Sequence, residues 1–318
     1  MRAIRIHEFG GPEQLRPDEV EQPQPKADEV LIKNVAAGIN CADIMLRSGT
    51  YLRNPQLPTI PGFEAAGIIE AVGANVTDWQ VGQRVLALVG QGGYGEYAVA
   101  DVSQLVPIPD GLALGKATAL LVQGLIAIAL LRDVQAGQTL LIHAAAGGVG
   151  SLLVQLAKHK GARVIGTASS ADKLAKAIEL GADVGINYTE SDWAEQVLRA
   201  TNGNGADVII EMVGGDIGRQ NLKCLATYGT MIVYGSASCE DFQISALGLL
   251  ANMHTVKGYY LTLDSPNNRA QYAKELMAHI KAGRLQVTVT EFPLAQAADA
   301  HRAIESRTTM GKIVLTID

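Results

Sequence analysis

A glycine-rich turn near the middle of the chain carries the strongest chemical signal in the sequence. An apolar run, Thr139–Ala144, leads into the turn Ala145–Gly150, and an amphipathic helix is predicted over 150–160. Glycines at such a turn let the backbone approach a pyrophosphate, and the start of the helix offers N–H groups and a positive dipole end to phosphate oxygens. The pattern therefore predicts a dinucleotide site, although a glycine turn without a ligand would show the same letters. The residues predicted to line the phosphates are Ala146, Gly147, Gly148, Val149 and Gly150.

The choice of dinucleotide depends on the residues that follow the second strand of this unit, Arg163–Thr167. An NAD-specific site carries an acid about 20 residues after the glycine turn, where it binds the ribose 2′-hydroxyl. This sequence has Ser169 and Ser170 there, with Lys173 close behind. Hydroxyls and an ammonium suit a 2′-phosphate, so the sequence predicts NADPH, with a solvated helix lysine as the alternative interpretation of Lys173.

Several other kinds of catalytic or metal site are excluded by inspection. No Tyr-x-x-x-Lys pair, Gly-x-Ser-x-Gly elbow or HExxH spacing occurs in the sequence. Cys41, Cys224 and Cys239 form no CxxC pair, so neither a structural zinc nor a disulfide framework is expected. We expect Cys41 to be a small buried apolar residue and His143 to be a buried structural histidine.

The elements that would position these residues fall into two patterns. The first hundred residues hold short strand candidates separated by Gly and Pro turns, which indicates a small barrel-like domain. A long apolar helix is predicted over 116–131. The rhythm then becomes strand–helix–strand, with strands that are apolar on both faces, which indicates a parallel sheet covered by helices. The predicted fold class is therefore α/β, and the last fifty residues return to mixed helix and strand.

Composition and charge exclude further classes of protein. Of 318 residues, 48% are hydrophobic and 18% are charged, which is typical of a globular chain rather than a disordered or fibrous one. The net charge of −6 argues against nucleic acid or an anionic membrane surface as a partner. The apolar stretch 117–131 is too short to span a bilayer, and the first residues contain no apolar signal segment. We therefore expect a cytoplasmic protein that binds neither membranes nor nucleic acids.

Three motifs together resemble a known superfamily. Residues 38–51 read GINCADIMLRSGTY, residues 143–150 read HAAAGGVG, and residues 311–315 read GKIVL. These are similar to the medium-chain dehydrogenase/reductase superfamily, and in particular to its zinc-free quinone oxidoreductase family, which includes zeta-crystallin. Zinc members carry a His ligand and a Cys ligand where this chain has Phe63 and Asn40, so the resemblance implies that no metal is bound.

The resemblance also implies an architecture. It predicts a Rossmann domain, with a doubly wound parallel sheet, over residues 121–261. A β-rich GroES-like domain, a partly open barrel, is predicted over residues 1–120 and 262–318. Members of this family commonly form homodimers through an edge strand of the cofactor sheet, which is predicted here to be Thr230–Tyr234.

The activity that the resemblance implies is NADPH-dependent reduction of a quinone or another α,β-unsaturated carbonyl compound. Asn40 and Tyr51 are the predicted hydrogen-bond donors to the acceptor carbonyl, and Asp43 is predicted to orient its neighbours. For Tyr51 the alternatives are a proton donor, a pocket-lining residue or a ring that only packs. The 2′-phosphate would be held by Ser169, Lys173 and Tyr188. Further cofactor contacts are predicted for Asn40, Gly235, Tyr259 and Lys312. Tyr260 and Leu261 are predicted to wall the acceptor site, and Arg307 lies where the family's tail reaches the cofactor, with a surface role as the alternative for the two cations. One departure from the family pattern is Ile126, which replaces a Thr that family members often place near the nicotinamide.

Two other functions remain open on the sequence. The first is an NADPH-binding protein with little turnover, crystallin-like or RNA-binding, although the acidic composition argues against RNA. The second is a reductase dedicated to an enoyl thioester or a haloacrylate. Turnover of NADPH with different acceptors discriminates between the two.

Overall fold

The computed structural model describes all residues, 1–318, and divides into two compact units. The first unit comprises Met1–Val122 and Val287–Asp318, and the second comprises Gln123–Gln286. Residues 262–286, which the sequence assigns to the first domain, thus lie in the second unit. None of the helices combines the length and the hydropathy that crossing a bilayer would require.

Short strands dominate the first unit, as the Gly- and Pro-punctuated sequence predicts. Its elements up to residue 118 are β1 (Arg2–Arg5), β2 (Arg16–Glu19), β3 (Glu29–Gly38), α1 (Cys41–Ser48), β4 (Glu64–Val72), β5 (Arg84–Leu88), β6 (Tyr97–Asp101), β7 (Leu105–Pro107) and α2 (Leu114–Thr118). The β1 and β2 strands form a separate antiparallel pair, whereas β3 pairs with both β4 and β6. The long strand β3 therefore organises this unit.

The second unit alternates strands and helices. Its elements are α3 (Leu121–Leu130), β8 (Thr139–Ile142), α4 (Gly148–His159), β9 (Arg163–Ala168), α5 (Ala171–Glu179), β10 (Val184–Asn187), α6 (Trp193–Ala200), β11 (Ala206–Glu211), α7 (Gly215–Cys224), β12 (Leu225–Val233), α8 (Ala246–Asn252), β13 (Thr255–Gly258) and α9 (Pro266–Lys281). The predicted single helix over 116–131 is divided between α2 and α3.

All six strands of the second unit are parallel, in the order β10-β9-β8-β11-β12-β13. The chain builds outward from β8 in one direction and from β11 in the other, so the strand order reverses between them. In open sheets of this kind, ligands bind outside the carboxyl ends of the strands at such a reversal. The prediction that Thr230–Tyr234 forms the edge is wrong, because β12 lies between β11 and β13.

The continuous apolar strands explain why this sheet is parallel. Leu140, Leu141 and Ile142 on β8 are all fully buried, since helices cover both faces of the sheet. The α9 helix belongs to this unit because Leu276 packs against Gly124 of α3, where a side chain at 124 would collide with it. The Tyr272 hydroxyl of α9 also accepts a hydrogen bond from Arg132 at 3.3 Å.

The end of the chain returns to the first unit and completes its sheet. These last elements are β14 (Val289–Pro293), α10 (Ala297–Glu305) and β15 (Lys312–Thr316). They give a seven-stranded sheet with the path β14-β15-β3-β4-β5-β7, in which β6 also pairs with β3. The predicted α/β class, a doubly wound parallel sheet domain with a β-rich domain, is confirmed.

Candidate functional site

The glycine turn of the second unit has the geometry of a phosphate cradle. Gly147 is the N-cap of α4 and supplies no side-chain cap, so the first N–H groups of the helix have no side-chain acceptor at that position. A Cβ at Gly150 would collide with the carbonyl of Ala144, and one at Gly147 would lie 3.1 Å from the same oxygen. The helix start therefore lies against the end of β8 and leaves its N–H groups for an anion. These residues fit the pyrophosphate of a dinucleotide.

The residues predicted to hold a 2′-phosphate lie together at the carboxyl ends of β9 and β10. Ser169 and Ser170 follow β9, and Tyr188 follows β10 with its N–H donating to the carbonyl of Ala168 at 3.2 Å. Ser170 is also the N-cap of α5, where its hydroxyl accepts from the backbone N–H of Lys173. The structure thus gives Ser170 a capping role that the sequence analysis did not assign.

A buried polar network lies at the reversal of strand order, and the sequence analysis found only one of its members. His143, directly after β8, hydrogen-bonds the Thr167 hydroxyl through Nδ1 at 2.8 Å and the side-chain Oδ1 of Asn221 through Nε2 at 2.7 Å. The Asn221 amide donates to the carboxylate of Glu211 at the end of β11. All four side chains are fully buried, which confirms the predicted burial of His143. We call these four residues the Glu211 network.

The two remaining cofactor candidates of the second unit lie further along the same sheet edge. Gly235 follows β12, and a Cβ there would meet only Met212 at an ordinary 3.6 Å, so packing within the protein does not require glycine. Tyr259 follows β13, and its hydroxyl donates to Asp264 at 3.2 Å. Burial, together with the Asp264 carboxylate, raises the pKa of Tyr259, so this hydroxyl stays protonated.

Asn40 in the first unit is held by a buried ion pair. The Lys312 ammonium donates to the Glu64 carboxylate and, at 2.7 Å, to the side-chain Oδ1 of Asn40. The Asn40 amide in turn donates to Glu64 at 3.0 Å. Glu64 and Lys312 are 0% and 3% exposed, and a side chain at Gly38 would collide with both. We call Asn40, Glu64 and Lys312 the Lys312 network; it fixes which way the Asn40 amide faces.

Glu64 is a site residue that the sequence analysis missed as such. It stands beside Phe63, which was considered only as the replacement of a zinc ligand. Its second carboxylate oxygen accepts the backbone N–H of Val122 at 3.2 Å. Lys312, which the sequence predicts as a cofactor ligand, donates its hydrogen bonds to Glu64 and Asn40 within the protein.

Asp43, in the first turn of α1, is fully buried and accepts two backbone hydrogen bonds. Its donors are the N–H of Asn40 at 2.7 Å and the N–H of Gly62 at 3.1 Å. Burial raises the pKa of Asp43 to about 7, against the opposing effects of these donors and of Lys312. Asp43 therefore fixes the Asn40 backbone, as an orienting residue should.

A second buried set anchors the other end of α1. The Arg47 guanidinium donates to the Gly10 carbonyl at 3.1 Å and to His301 Nδ1 at 3.3 Å, and it pairs with Glu305. Burial and the Arg47 charge lower the pKa of His301 to about 3. The neutral ring accepts at Nδ1 and thus donates from Nε2 to the Tyr94 hydroxyl at 3.0 Å. This set ties α1, and with it Asn40 and Asp43, to α10 and to the loop that follows β1.

Two further predictions concern the ends of α1. Tyr51, beyond its carboxyl end, is half-buried and its ring centroid lies 5.3 Å from that of Phe63. Cys41, the first residue of the helix, is exposed, so the prediction of a buried cysteine is wrong. The first turn of α1 buries Asp43 instead. No group of three or more His, Cys, Asp or Glu side chains is arranged to hold a metal.

Comparisons with known proteins agree with this geometry. A family model described as an alcohol dehydrogenase GroES-like domain matches residues 26–110, and one described as a zinc-binding dehydrogenase matches residues 148–281. The chain is 35% identical to the quinone oxidoreductase of Rattus norvegicus, with 100% of this chain and 98% of that protein covered. It is 36% identical to a 2-haloacrylate reductase of Burkholderia sp, with 98% of each covered.

The structure of Escherichia coli quinone oxidoreductase complexed with NADPH matches with a TM-score of 0.95 and 32% identity, over 100% of both chains. These matches confirm the resemblance that the sequence motifs carry: the chain belongs to the quinone oxidoreductase family of the medium-chain dehydrogenase/reductase superfamily.

Proposed function

We propose that this protein is an NADPH-dependent, zinc-independent reductase that transfers hydride to quinones or other α,β-unsaturated carbonyl compounds. The observation that carries the proposal is the carboxyl edge of the parallel sheet. At this edge an uncapped helix start at Gly147 follows β8, while Ser169, Lys173 and Tyr188 come after the neighbouring strands β9 and β10, with no acid where an NAD-specific site would have one. NADPH, when bound, supplies the hydride.

The second unit would bind and select the cofactor. The N–H groups at the start of α4 suit the pyrophosphate, and the Ser169 hydroxyl and Lys173 ammonium suit the 2′-phosphate. Ser170 contributes by capping α5 and so fixing the position of Lys173.

The first unit would polarise the acceptor carbonyl. Charge develops on the carbonyl oxygen as hydride arrives, and donors held in place beforehand stabilise it. Asn40 and Tyr51 are the proposed donors. The Lys312 network holds the Asn40 side chain and Asp43 holds its backbone, so this donor does not reorient during the reaction.

The acceptor class is supported by the names of the relatives. Quinones and haloacrylates both present a carbon–carbon double bond conjugated to a carbonyl, so one site chemistry serves both. A dedicated haloacrylate reductase is the second candidate, because the Burkholderia relative matches the chain over the same length.

Oxidation of NADPH, followed by its absorbance, tests the proposal. The panel contains a benzoquinone, a naphthoquinone, an open-chain enone, 2-chloroacrylate and an enoyl thioester. Turnover with the quinones or the enone is expected, and turnover with chloroacrylate alone would favour the second candidate. Tight NADPH binding with no turnover on any acceptor would contradict a reductase and favour a binding protein.

We also propose that two copies of the chain form a homodimer. They would pair through β13 rather than through the predicted strand Thr230–Tyr234. The β13 strand is the outer strand of the sheet, and its own edge can accept a strand from a second copy. Leu247 and Leu250 of the preceding helix α8 are about three-quarters exposed, and Met253 is more than half exposed. Light scattering should give twice the chain mass for the wild type and the chain mass for Leu247→Asp/Leu250→Asp. A monomeric wild type would contradict the proposal.

A further inference from the structure

The hydrogen bonds of the Glu211 network all run from donor to acceptor in one direction, and the chemistry of the groups fixes that direction. Because Glu211 is a carboxylate, the Asn221 amide must present N–H to it and its carbonyl oxygen to His143. His143 then donates from Nε2 and accepts at Nδ1 from the Thr167 hydroxyl. Every hydrogen bond in the chain from Thr167 to Glu211 thus points the same way and ends on the carboxylate.

The other oxygen of Glu211 shapes the turn that follows β11. It accepts the backbone N–H groups of Val213 and Gly214, the latter at 2.7 Å. Gly214 and Gly215 both have positive φ, at 78° and 54°, so this turn has a conformation that glycine allows and most residues do not. A single carboxylate thereby determines the path of the backbone between β11 and α7.

The same turn is bonded to the segment after β12. Ala237 donates its N–H to Met212 and Ser238 donates to Val213, both at 2.8 Å, while Gly215 donates to the Glu240 carbonyl at 3.0 Å. Moving the turn 212–215 would therefore move residues 235–240, which include the cofactor candidate Gly235.

The other end of the network reaches the glycine turn. The Thr167 carbonyl accepts the N–H of Ala145 at 2.9 Å, and His143 immediately precedes the turn. The network thus joins three turns at the carboxyl edge of the sheet, on both sides of the reversal between β8 and β11. Packing alone does not require it, since apolar residues of similar volume fill such a space without desolvating a carboxylate.

We infer that His143, Asn221 and Glu211 are positioning residues that hold the turns 212–215 and 235–240 in the shape that binds the nicotinamide half of the dinucleotide. This rests on the proposed function. In a sheet of this kind the adenosine half is bound on the β8–β10 side and the other half across the reversal, on the β11–β13 side. The backbone N–H groups that Glu211 accepts, those of Val213 and Gly214, lie on the second side.

Two ligands separate this role from simple stabilisation. NADPH spans both halves of the site, whereas 2′,5′-ADP contains only the adenosine half with its phosphates. Dissociation constants for both are measured by titration calorimetry on wild type, Asn221→Ala, Glu211→Ala and Glu211→Gln, with circular dichroism to establish folding. Thr201→Val is the matched control, because Thr201 is a buried hydrogen-bonding residue of the same unit before the amino end of β11.

Asn221→Ala and Glu211→Ala should raise the dissociation constant for NADPH about tenfold or more and leave that for 2′,5′-ADP within about twofold of the wild-type value. In Glu211→Gln the dissociation constant for NADPH should stay within about threefold of the wild-type value, because the whole chain of hydrogen bonds can reverse. The new amide donates to Asn221, the Asn221 amide flips, and His143 takes its other tautomer. Thr201→Val should lower the melting temperature without changing either affinity. If Glu211→Ala does not fold, Asn221→Ala carries the test.

Equal losses of affinity for both ligands in Asn221→Ala, or no loss of affinity for either, would overturn the inference. A wild type that binds 2′,5′-ADP but not NADPH would overturn it as well. A wild type that binds neither ligand would contradict the proposed function itself.

Discussion

The two units each bury one glutamate, but they compensate its charge differently. Glu64 in the first unit faces a buried cation, Lys312, whereas Glu211 in the second is bonded by the Asn221 amide and two backbone N–H groups, with His143 Nε2 at 3.5 Å. A buried charge pair links distant parts of the chain. If one member is removed, the other charge stays buried without a partner, and the protein loses much stability. A set of neutral donors instead ties the carboxylate to the local backbone, so it controls the shape of a turn.

The difference matches what each unit is proposed to do. The Lys312 network fixes a side-chain donor, Asn40, which needs a rigid partner on each side of its amide. The Glu211 network fixes backbone turns, which need an acceptor for their N–H groups. The following changes test the contrast, from the largest expected effect to the smallest.

Removal of the Lys312 charge should have the largest effect on stability. Lys312→Met leaves Glu64 buried without its cation and should lower the free energy of unfolding by about 3–5 kcal/mol, measured by urea denaturation. The double variant Glu64→Gln/Lys312→Met, which removes both charges, should recover most of this loss. A single variant as stable as wild type would show that the ion pair does not hold this region.

Asp43 should make the first unit's stability depend on pH. Its folded pKa of about 7 lies above the ordinary value of 3.8, so between these values the folded state binds more protons than the unfolded state. Stability relative to Asp43→Asn should therefore fall by about 2–4 kcal/mol as the pH rises from about 4 to about 8.

The measurement for Asp43 is urea denaturation of both proteins across this pH range. His301, with its lowered pKa, acts in the opposite direction below about pH 6.5, so the difference between the two proteins is the relevant quantity. A difference that stays flat above about pH 5 would show that Asp43 is ionised in the folded protein throughout, which would contradict the raised pKa.

Tyr51 tests whether the first unit supplies a second donor. Tyr51→Phe keeps the ring against Phe63 and removes only the hydroxyl, so turnover should fall about tenfold, equivalent to about 1.4 kcal/mol, while the NADPH affinity stays unchanged. Steady-state kinetics with a quinone measures this. Unchanged turnover would reduce Tyr51 to a packing role and leave Asn40 as the proposed donor.

Ser170 should show the smallest effect on stability, because it is a single helix cap. Ser170→Ala should cost about 1 kcal/mol, while Ser170→Asp should keep the cap. The added carboxylate should repel a 2′-phosphate, so Ser170→Asp should lose about tenfold in NADPH affinity with NADH affinity preserved. Equal changes for both cofactors would place the 2′-phosphate elsewhere.

Much of the fold follows from local sequence pattern. The strands β8 and β11 contain the uninterrupted apolar runs LLI and VII, which only a sheet covered on both faces can bury. The glycine turn after β8 predicts where the ligand edge lies. The prediction of the edge strand is wrong because the true edge strand, β13, has no such apolar run. Thr255–Gly258 is short, mostly exposed and polar, so nothing in its pattern distinguishes it from a loop.

The buried networks could not be predicted, because their members are far apart in the chain. Glu64 and Lys312 are separated by 248 residues, and His143 and Asn221 by 78. A sequence shows that a Glu ends β11, but only the paired strands show which donors surround it. The motif glycine Gly38 is explained only by the structure, since it leaves room for the ion pair.

The central claim is that the carboxyl edge of the second unit selects NADPH. Fluorescence titration of the wild-type protein with NADPH and NADH under the same conditions tests it directly. The account predicts a dissociation constant for NADPH about tenfold or more below that for NADH. Equal affinities, or a preference for NADH, would contradict it.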